Sequence, residues 1–150
     1  MTRVYDSAKL KIDCAECDVL CCVAFKLPYD DYQKPAGVAC KNLDADKKLC
    51  TIHGDLERRA YDHCTGFDCR GAGVAVSKLF RAMGRTWISD PDVATVEFQT
   101  FVIVYYTLLR EIYPEAKFEF DVVDKLSAKL RADLQPFTDA ALDLLTTERS

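Results

Sequence analysis

Apolar positions follow two different regimes along this chain. From about Val74 onward they recur with helical spacing. Val76, Leu79, Phe80 and Met83 fall three and four residues apart, which predicts one apolar helical face ending at Gly84. Ser89-Asp90-Pro91-Asp92 then supplies a capping residue, a proline near the first helical position and acidic side chains that suit a helix N-terminus. The helix it opens carries Phe98, Phe101, Val102, Tyr105, Leu108, Leu109 and Ile112, and Pro114 closes it. Val104 and Tyr106 make it apolar nearly all round, which predicts a place at the centre of a bundle or in a homodimer seam through helix 91–113. Val123, Leu126, Leu130 and Leu134 form the stripe of a third helix predicted to stop before Pro136. Thr138 is the expected cap of a short last helix holding Leu142 and Leu145.

The first half lacks such periodicity. From Lys11 to about Asp68 turn signals are dense: Leu27-Pro28-Tyr29-Asp30-Asp31, Lys34-Pro35-Ala36-Gly37, Asn42-Leu43-Asp44-Ala45-Asp46 and His53-Gly54-Asp55. A loop-rich stretch with few apolar side chains needs staples, and metal-bound cysteine would supply them. The expected fold is mostly α: a loop-rich, metal-stabilised cysteine-cluster half packed on a C-terminal helical bundle. At 150 residues this is one domain, with residues 11–73 as the cysteine-rich region and 74–150 as the helical region.

Composition narrows the function classes. Hydrophobic residues at 49% and charged residues at 29% are globular values. A formal charge of −4 leaves no general basic field for phosphate backbones, so no nucleic-acid partner is expected. Met1 to Lys9 lacks the apolar core and small-residue cleavage site of a secretory signal. The longest uncharged apolar stretch, Phe98 to Leu109, is 12 residues, against the roughly 20 that span a bilayer. The expectation is a cytoplasmic protein without a membrane partner.

Eight cysteines change the picture: Cys14, Cys17, Cys21, Cys22, Cys40, Cys50, Cys64 and Cys69 all lie in the first 69 residues. In a reducing compartment so many thiols in one loop-rich half point to metal rather than to disulfides. Buried structural cysteine, packed as a small hydrophobe, explains one or two positions but not eight. Eight sulfurs match two tetrahedral sites of four ligands. Cys14-Ala15-Glu16-Cys17 is the turn that brings two thiolates to one ion. If a helix begins near Asp18, Cys17 and Cys21 share a face and Cys22 points about 100° away. Adjacent cysteines are poor disulfide partners, whose Cα atoms normally sit about 5.5 Å apart rather than about 3.8 Å. Cys21 and Cys22 are therefore expected in different ligand sets, or one is a spare thiol.

The order Cys-x-x-Cys, a cysteine pair, Cys40-Lys41-Asn42-Leu43, Cys50-Thr51-Ile52-His53 and Cys64-Thr65-Gly66-Phe67-Asp68-Cys69 resembles the YkgJ-type family. That is the bacterial zinc- or iron-chelating "CxxCxxCC" cysteine-cluster family, described elsewhere as iron–sulfur proteins. The resemblance covers about residues 14 to 69 and implies a metal-binding module with these eight cysteines as ligands. Three residues, rather than two, separate Cys17 from the pair, which leaves the parts played by Cys21 and Cys22 open. His53 stands where the family pattern has Tyr, and the Arg-Pro before the last pair is missing, with Arg58-Arg59-Ala60 nearby. Some bacterial proteins carry a similar segment ahead of pentapeptide repeats, and no such repeats follow in these 150 residues.

Other candidates carry less. His53, three residues after Cys50, is a second-choice ligand, with a surface or supporting place preferred, and His63 ranks below it. No local signature of thiol catalysis surrounds any cysteine, so no catalytic constellation is identified. Gly71-Ala72-Gly73 lacks the rest of a phosphate loop and reads as close packing of a helix start against the cysteine loops. Asp44, Asp46, Glu57, Asp62 and Asp68 read as solvated surface, and Tyr105 and Tyr106 as core. Without a ferredoxin spacing, zinc in a structural or metal-handling role is placed ahead of an iron–sulfur cluster in electron transfer or sensing. An exchangeable soft-metal buffer and a metal-stabilised adaptor for a protein partner are the remaining uses.

Overall fold

The computed structural model describes residues 3–11, 16–25, 27–28, 33–44, 46–47, 49–51, 69–115 and 126–147. Among these described residues the elements in chain order are α1 (Cys21–Ala24), β1 (Leu27–Pro28), β2 (Gln33–Lys34), β3 (Leu43–Asp44), β4 (Leu49–Cys50), α2 (Ala72–Ala82), α3 (Pro91–Ile112) and α4 (Ala128–Asp143). The fold is mostly α, with α2, α3 and α4 packed pairwise and α1 seated on α3. Two short antiparallel ladders, β1–β2 and β3–β4, punctuate the cysteine-rich half. Two-residue strands leave no alternation for a sequence pattern to reveal.

α3 forms where its signals placed it. Asp90 is the N-cap, its carboxylate accepting from the Asp92 N–H, and Pro91 fills N1. Packed by α1, α2 and α4, it occupies the centre of the bundle. Phe101, Val104 and Leu108 are fully buried there, and Phe80 and Val76 of α2 join them. Met83, expected on the α2 apolar face, is instead 44% exposed, because the helix has ended at Ala82 before its side chain reaches the core.

The largest departure is at Pro136. The two helices expected on either side of it form one continuous α4, capped at its start by Ser127, whose hydroxyl accepts from the Leu130 N–H. A proline inside a helix removes one backbone bond and costs about 3 kcal/mol. Packing offsets that cost. Leu134 before the proline and Ala141 and Leu142 after it are all buried, and Phe137 stacks on Phe80 at 5.7 Å. Thr138 caps nothing: it is buried within α4 and its hydroxyl donates to the Gln135 carbonyl.

The N-terminal segment closes over the end of α4. Tyr5 bridges Thr146, and Asp6 N–H donates to the Leu145 carbonyl. Arg3 pairs with Asp139 at 3.0 Å and Asp143 at 3.4 Å. Gly71, at φ +85°, lets this segment approach, since a Cβ there would collide with the Lys9 carbonyl oxygen.

Candidate metal centre

Cys17 and Cys69 come from opposite ends of the cysteine-rich half and meet at the start of α2. The meeting point is Gly73. A Cβ at that residue would lie 2.6 Å from the Cys17 sulfur and 3.6 Å from the Cys69 sulfur. Both cysteines are buried. The close-packing reading of Gly71-Ala72-Gly73 is therefore met in side-chain detail.

The chain bends sharply to place Cys17. Val19 has φ +53°, a left-handed conformation rare for a β-branched residue. That bend turns the backbone N–H groups of Leu20 and Val19 onto the Cys17 sulfur, and the Ser77 hydroxyl donates to it at 3.8 Å. Burial pushes the Cys17 thiol up to about 11, although the Leu20 N–H and the Ser77 hydroxyl favour the thiolate. The expected helix from Asp18 is not formed: α1 begins only at Cys21, so Cys17 and Cys21 do not share a helical face. The left-handed Val19 is the physical reason.

A second group gathers around α1. The Cys21 thiol donates to the Cys22 sulfur, so the adjacent cysteines touch each other. The Cys40 N–H donates to the Cys22 carbonyl at 2.9 Å. From Cys40 a turn leads into β3, where Leu43 N–H donates to the Cys40 carbonyl at 3.0 Å, and Leu43 lies opposite Cys50 across the ladder. Donation from Cys21 and the nearby Lys34 ammonium hold the Cys22 thiol below its ordinary value, against the opposing effect of burial. Lys34 itself is 1% exposed. Its ammonium donates to the carbonyls of Val23 at 3.0 Å, Pro35 at 2.9 Å and Val38 at 2.7 Å. The Asn42 side-chain amide nitrogen, between Cys40 and Cys50 in the chain, is sealed from solvent and meets no acceptor among the described residues.

Beyond the cysteines lies a buried acidic cluster that the sequence did not single out. Asp18 and Glu97 are 1% and 0% exposed. Asp18 N–H donates to Ser77 Oγ at 2.8 Å, and its carboxylate faces Arg81 at 3.8 Å. Trp87 ties the two acids together, its indole N–H donating to the Asp18 carbonyl and its backbone N–H to Glu97 Oε1, both at 2.8 Å. Glu97 Oε2 has no hydrogen-bond partner among the described residues. Burial pushes Glu97 up to about 7; the Trp87 N–H and Arg81 oppose that rise, and Asp18 adds to it.

The sign of the resulting pH dependence follows. The folded chain holds a proton on Glu97 that the unfolded chain, titrating near the ordinary 4.5, releases. This contribution is fully present below pH 4.5 and is lost as pH rises through about 7. It amounts to something on the order of 3 kcal/mol. Glu97→Gln keeps the acceptor for Trp87 without the charge. The expected result in urea unfolding across pH 4 to 8 is a flatter stability profile and a more stable protein at the alkaline end.

Six of the eight candidate ligands, Cys17, Cys21, Cys22, Cys40, Cys50 and Cys69, lie among the described residues. Cys14, Cys64, His53 and His63 lie outside the described residues, as do Glu57, Asp62 and Asp68. Among the described residues no three His, Cys, Asp or Glu side chains close into one group able to hold a metal ion. What is described is a sulfur pair at Gly73 and, around α1, the adjacent Cys21 and Cys22, with Cys40 tied to Cys22 through the backbone. Asp46 is exposed and Asp44 half-buried, its carboxylate accepting from the Lys47 N–H. Tyr105 packs with Phe25 at 5.6 Å and Phe101 at 6.3 Å, as core. No helix among the described residues is long and apolar enough to cross a membrane.

Fold and site together define a cysteine-rich, mostly α protein. The chain is similar to an uncharacterized protein, YybG, of Bacillus subtilis (strain 168), with 30% identity over 131 residues. The match covers 84% of this chain and 46% of that protein, so the chain spans about half the length of the curated relative it matches. No family model matches the chain, and no solved structure matches it significantly.

Proposed function

We propose that this chain binds metal through cysteine thiolates, coordinating zinc at two centres in a structural or metal-handling role. The observation that carries the reading is the pair of sulfurs facing Gly73. Cys17 and Cys69 are brought together at a residue with no side chain, where even a single Cβ would collide with the Cys17 sulfur. Backbone N–H groups already aimed at a sulfur are the support that a coordinated thiolate needs. The soft donor set fits zinc. Resemblance of residues 14 to 69 to the YkgJ-type cysteine-cluster family supports the same chemistry. When bound, zinc would supply cross-links between loops that have little apolar core of their own.

Metal removal tests this. A strong chelator under reducing conditions is expected to lower the thermal midpoint by about 10 °C or more, since structural zinc contributes several kcal/mol or more of linked folding free energy. Added zinc should restore it. An unchanged midpoint, with all eight thiols open to alkylation before the chelator is added, would contradict the reading.

A further inference from the structure

One face of α2 meets the segment that carries Cys17. Gly73, Ser77 and Arg81 follow one another at intervals of four residues, so they lie along the same face of the helix. Each meets the Glu16–Asp18 segment in its own way. Gly73 leaves room for the Cys17 sulfur, which a Cβ there would meet at 2.6 Å. Ser77 is fully buried, and its hydroxyl accepts from the Asp18 N–H at 2.8 Å and donates to Cys17 Sγ at 3.8 Å. Arg81 donates to the Glu16 carbonyl at 2.5 Å and sets its guanidinium 3.8 Å from the Asp18 carboxylate. Trp87, in the turn after α2, donates its indole N–H to the Asp18 carbonyl at 2.8 Å. The backbone on both sides of Cys17 is thus held from α2 and the turn that follows it. Ser77 stands at the centre of this arrangement. With a lone pair taken up by the Asp18 N–H, its own proton is left to point at the sulfur.

We propose that Ser77 is the positioning residue of the metal centre that contains Cys17, donating to the metal-bound thiolate from a helix face, Gly73–Ser77–Arg81, that holds this ligand in place before metal arrives. The inference rests on the metal-binding reading above. Coordination removes the Cys17 proton and leaves the sulfur an acceptor with added negative charge. A hydroxyl aimed at such a sulfur makes a stronger hydrogen bond than it makes to the neutral thiol. The bond draws electron density from the sulfur and fixes its direction, which is how a group behind a ligand sets metal affinity. The ties to Glu16 and Asp18 act on the ligand's backbone, so little ordering remains to be supplied when metal binds. Ser77 is not itself a ligand, and its effect belongs to the Cys17 centre alone.

Titration of the reduced full-length protein with cobalt(II), without oxygen, reads this through the thiolate-to-cobalt charge-transfer absorption. Ser77→Ala is expected to weaken one of the two bound cobalt equivalents by about 10- to 100-fold and to move its charge-transfer band to lower energy. The band moves because a sulfur without its donor gives up electron density to cobalt more readily. Arg81→Met, at an exposed position, should weaken the same equivalent by about tenfold with the band unmoved, since Arg81 holds backbone and not sulfur. A Ser77→Ala protein with wild-type affinity and band would overturn this inference and leave metal binding intact. A loss of affinity without a band shift, or an equal loss at both equivalents, would reduce Ser77 to a general packing contact and overturn the proposal as well. Should Ser77→Ala fail to fold by circular dichroism, Arg81→Met decides, and an unchanged cobalt affinity there overturns the proposal. Wild-type protein that takes up no cobalt would overturn the underlying reading, and the inference with it.

Discussion

Serine at position 17 is expected to remove about one of two metal equivalents and to lower the thermal midpoint of the metal-loaded protein by about 10 °C or more. The hydroxyl is a hard, poor ligand for zinc, and the N–H groups of Leu20 and Val19 would be left around a shorter side chain. Without metal the same change should cost no more than about 1–2 kcal/mol, the worth of a hydrogen-bonded buried group. The contrast between loaded and unloaded protein is the informative quantity. Gly73→Ala probes the same place without touching a ligand. Helix propensity favours it by about 1 kcal/mol, whereas overpacking a filled site costs about 1–3 kcal/mol. A methyl group 2.6 Å from the Cys17 sulfur should make overpacking win and expel the same metal equivalent. Atomic absorption on each purified variant, paired with thermal unfolding, checks both. A more stable Gly73→Ala protein with full metal content would mean that the two sulfurs do not share a metal ion.

Phe101→Ala should cost about 3–5 kcal/mol, read as a lower urea midpoint at unchanged slope. Phe101 is fully buried at the middle of α3. Its ring meets Phe25 edge-on at 5.4 Å, and Phe25 is the residue that ends α1. This contact is a direct link between the helical bundle and the segment carrying Cys21 and Cys22. Truncation would leave a cavity at that joint and loosen the cysteine half along with the bundle. Met83→Ala, at an exposed position, serves as the control and should stay within about 0.5 kcal/mol.

The helices were legible where their signals are local. Asp90-Pro91 marks a helix start by cap chemistry and fixed φ, and Gly84 marks a helix end by its freedom at φ +76°. Pro136 misled for the opposite reason. Its effect on a helix is local and unfavourable, while the stacking of Phe137 on Phe80 that overrides it joins residues far apart in the chain. At the site, the spacing of the cysteines does not show which of them meet. Nothing in the spacing of Cys17 and Cys69 says that they meet at Gly73, because a glycine advertises space without naming what fills it. Lys34 sits between turn signals, where a lysine ordinarily faces water. Its burial depends on three carbonyls that only the folded loop assembles. Asp18 and Glu97 were missed similarly, since a buried acid is recognised by its partners and not by its neighbours in sequence.

Metal content decides the central point. Protein purified without oxygen and without an affinity metal column should be colourless and contain about two zinc per chain, with no acid-labile sulfide. Brown protein with iron and sulfide would replace zinc by an iron–sulfur cluster on the same thiols. Folded protein that contains no metal and binds none when zinc is added would contradict thiolate metal binding outright.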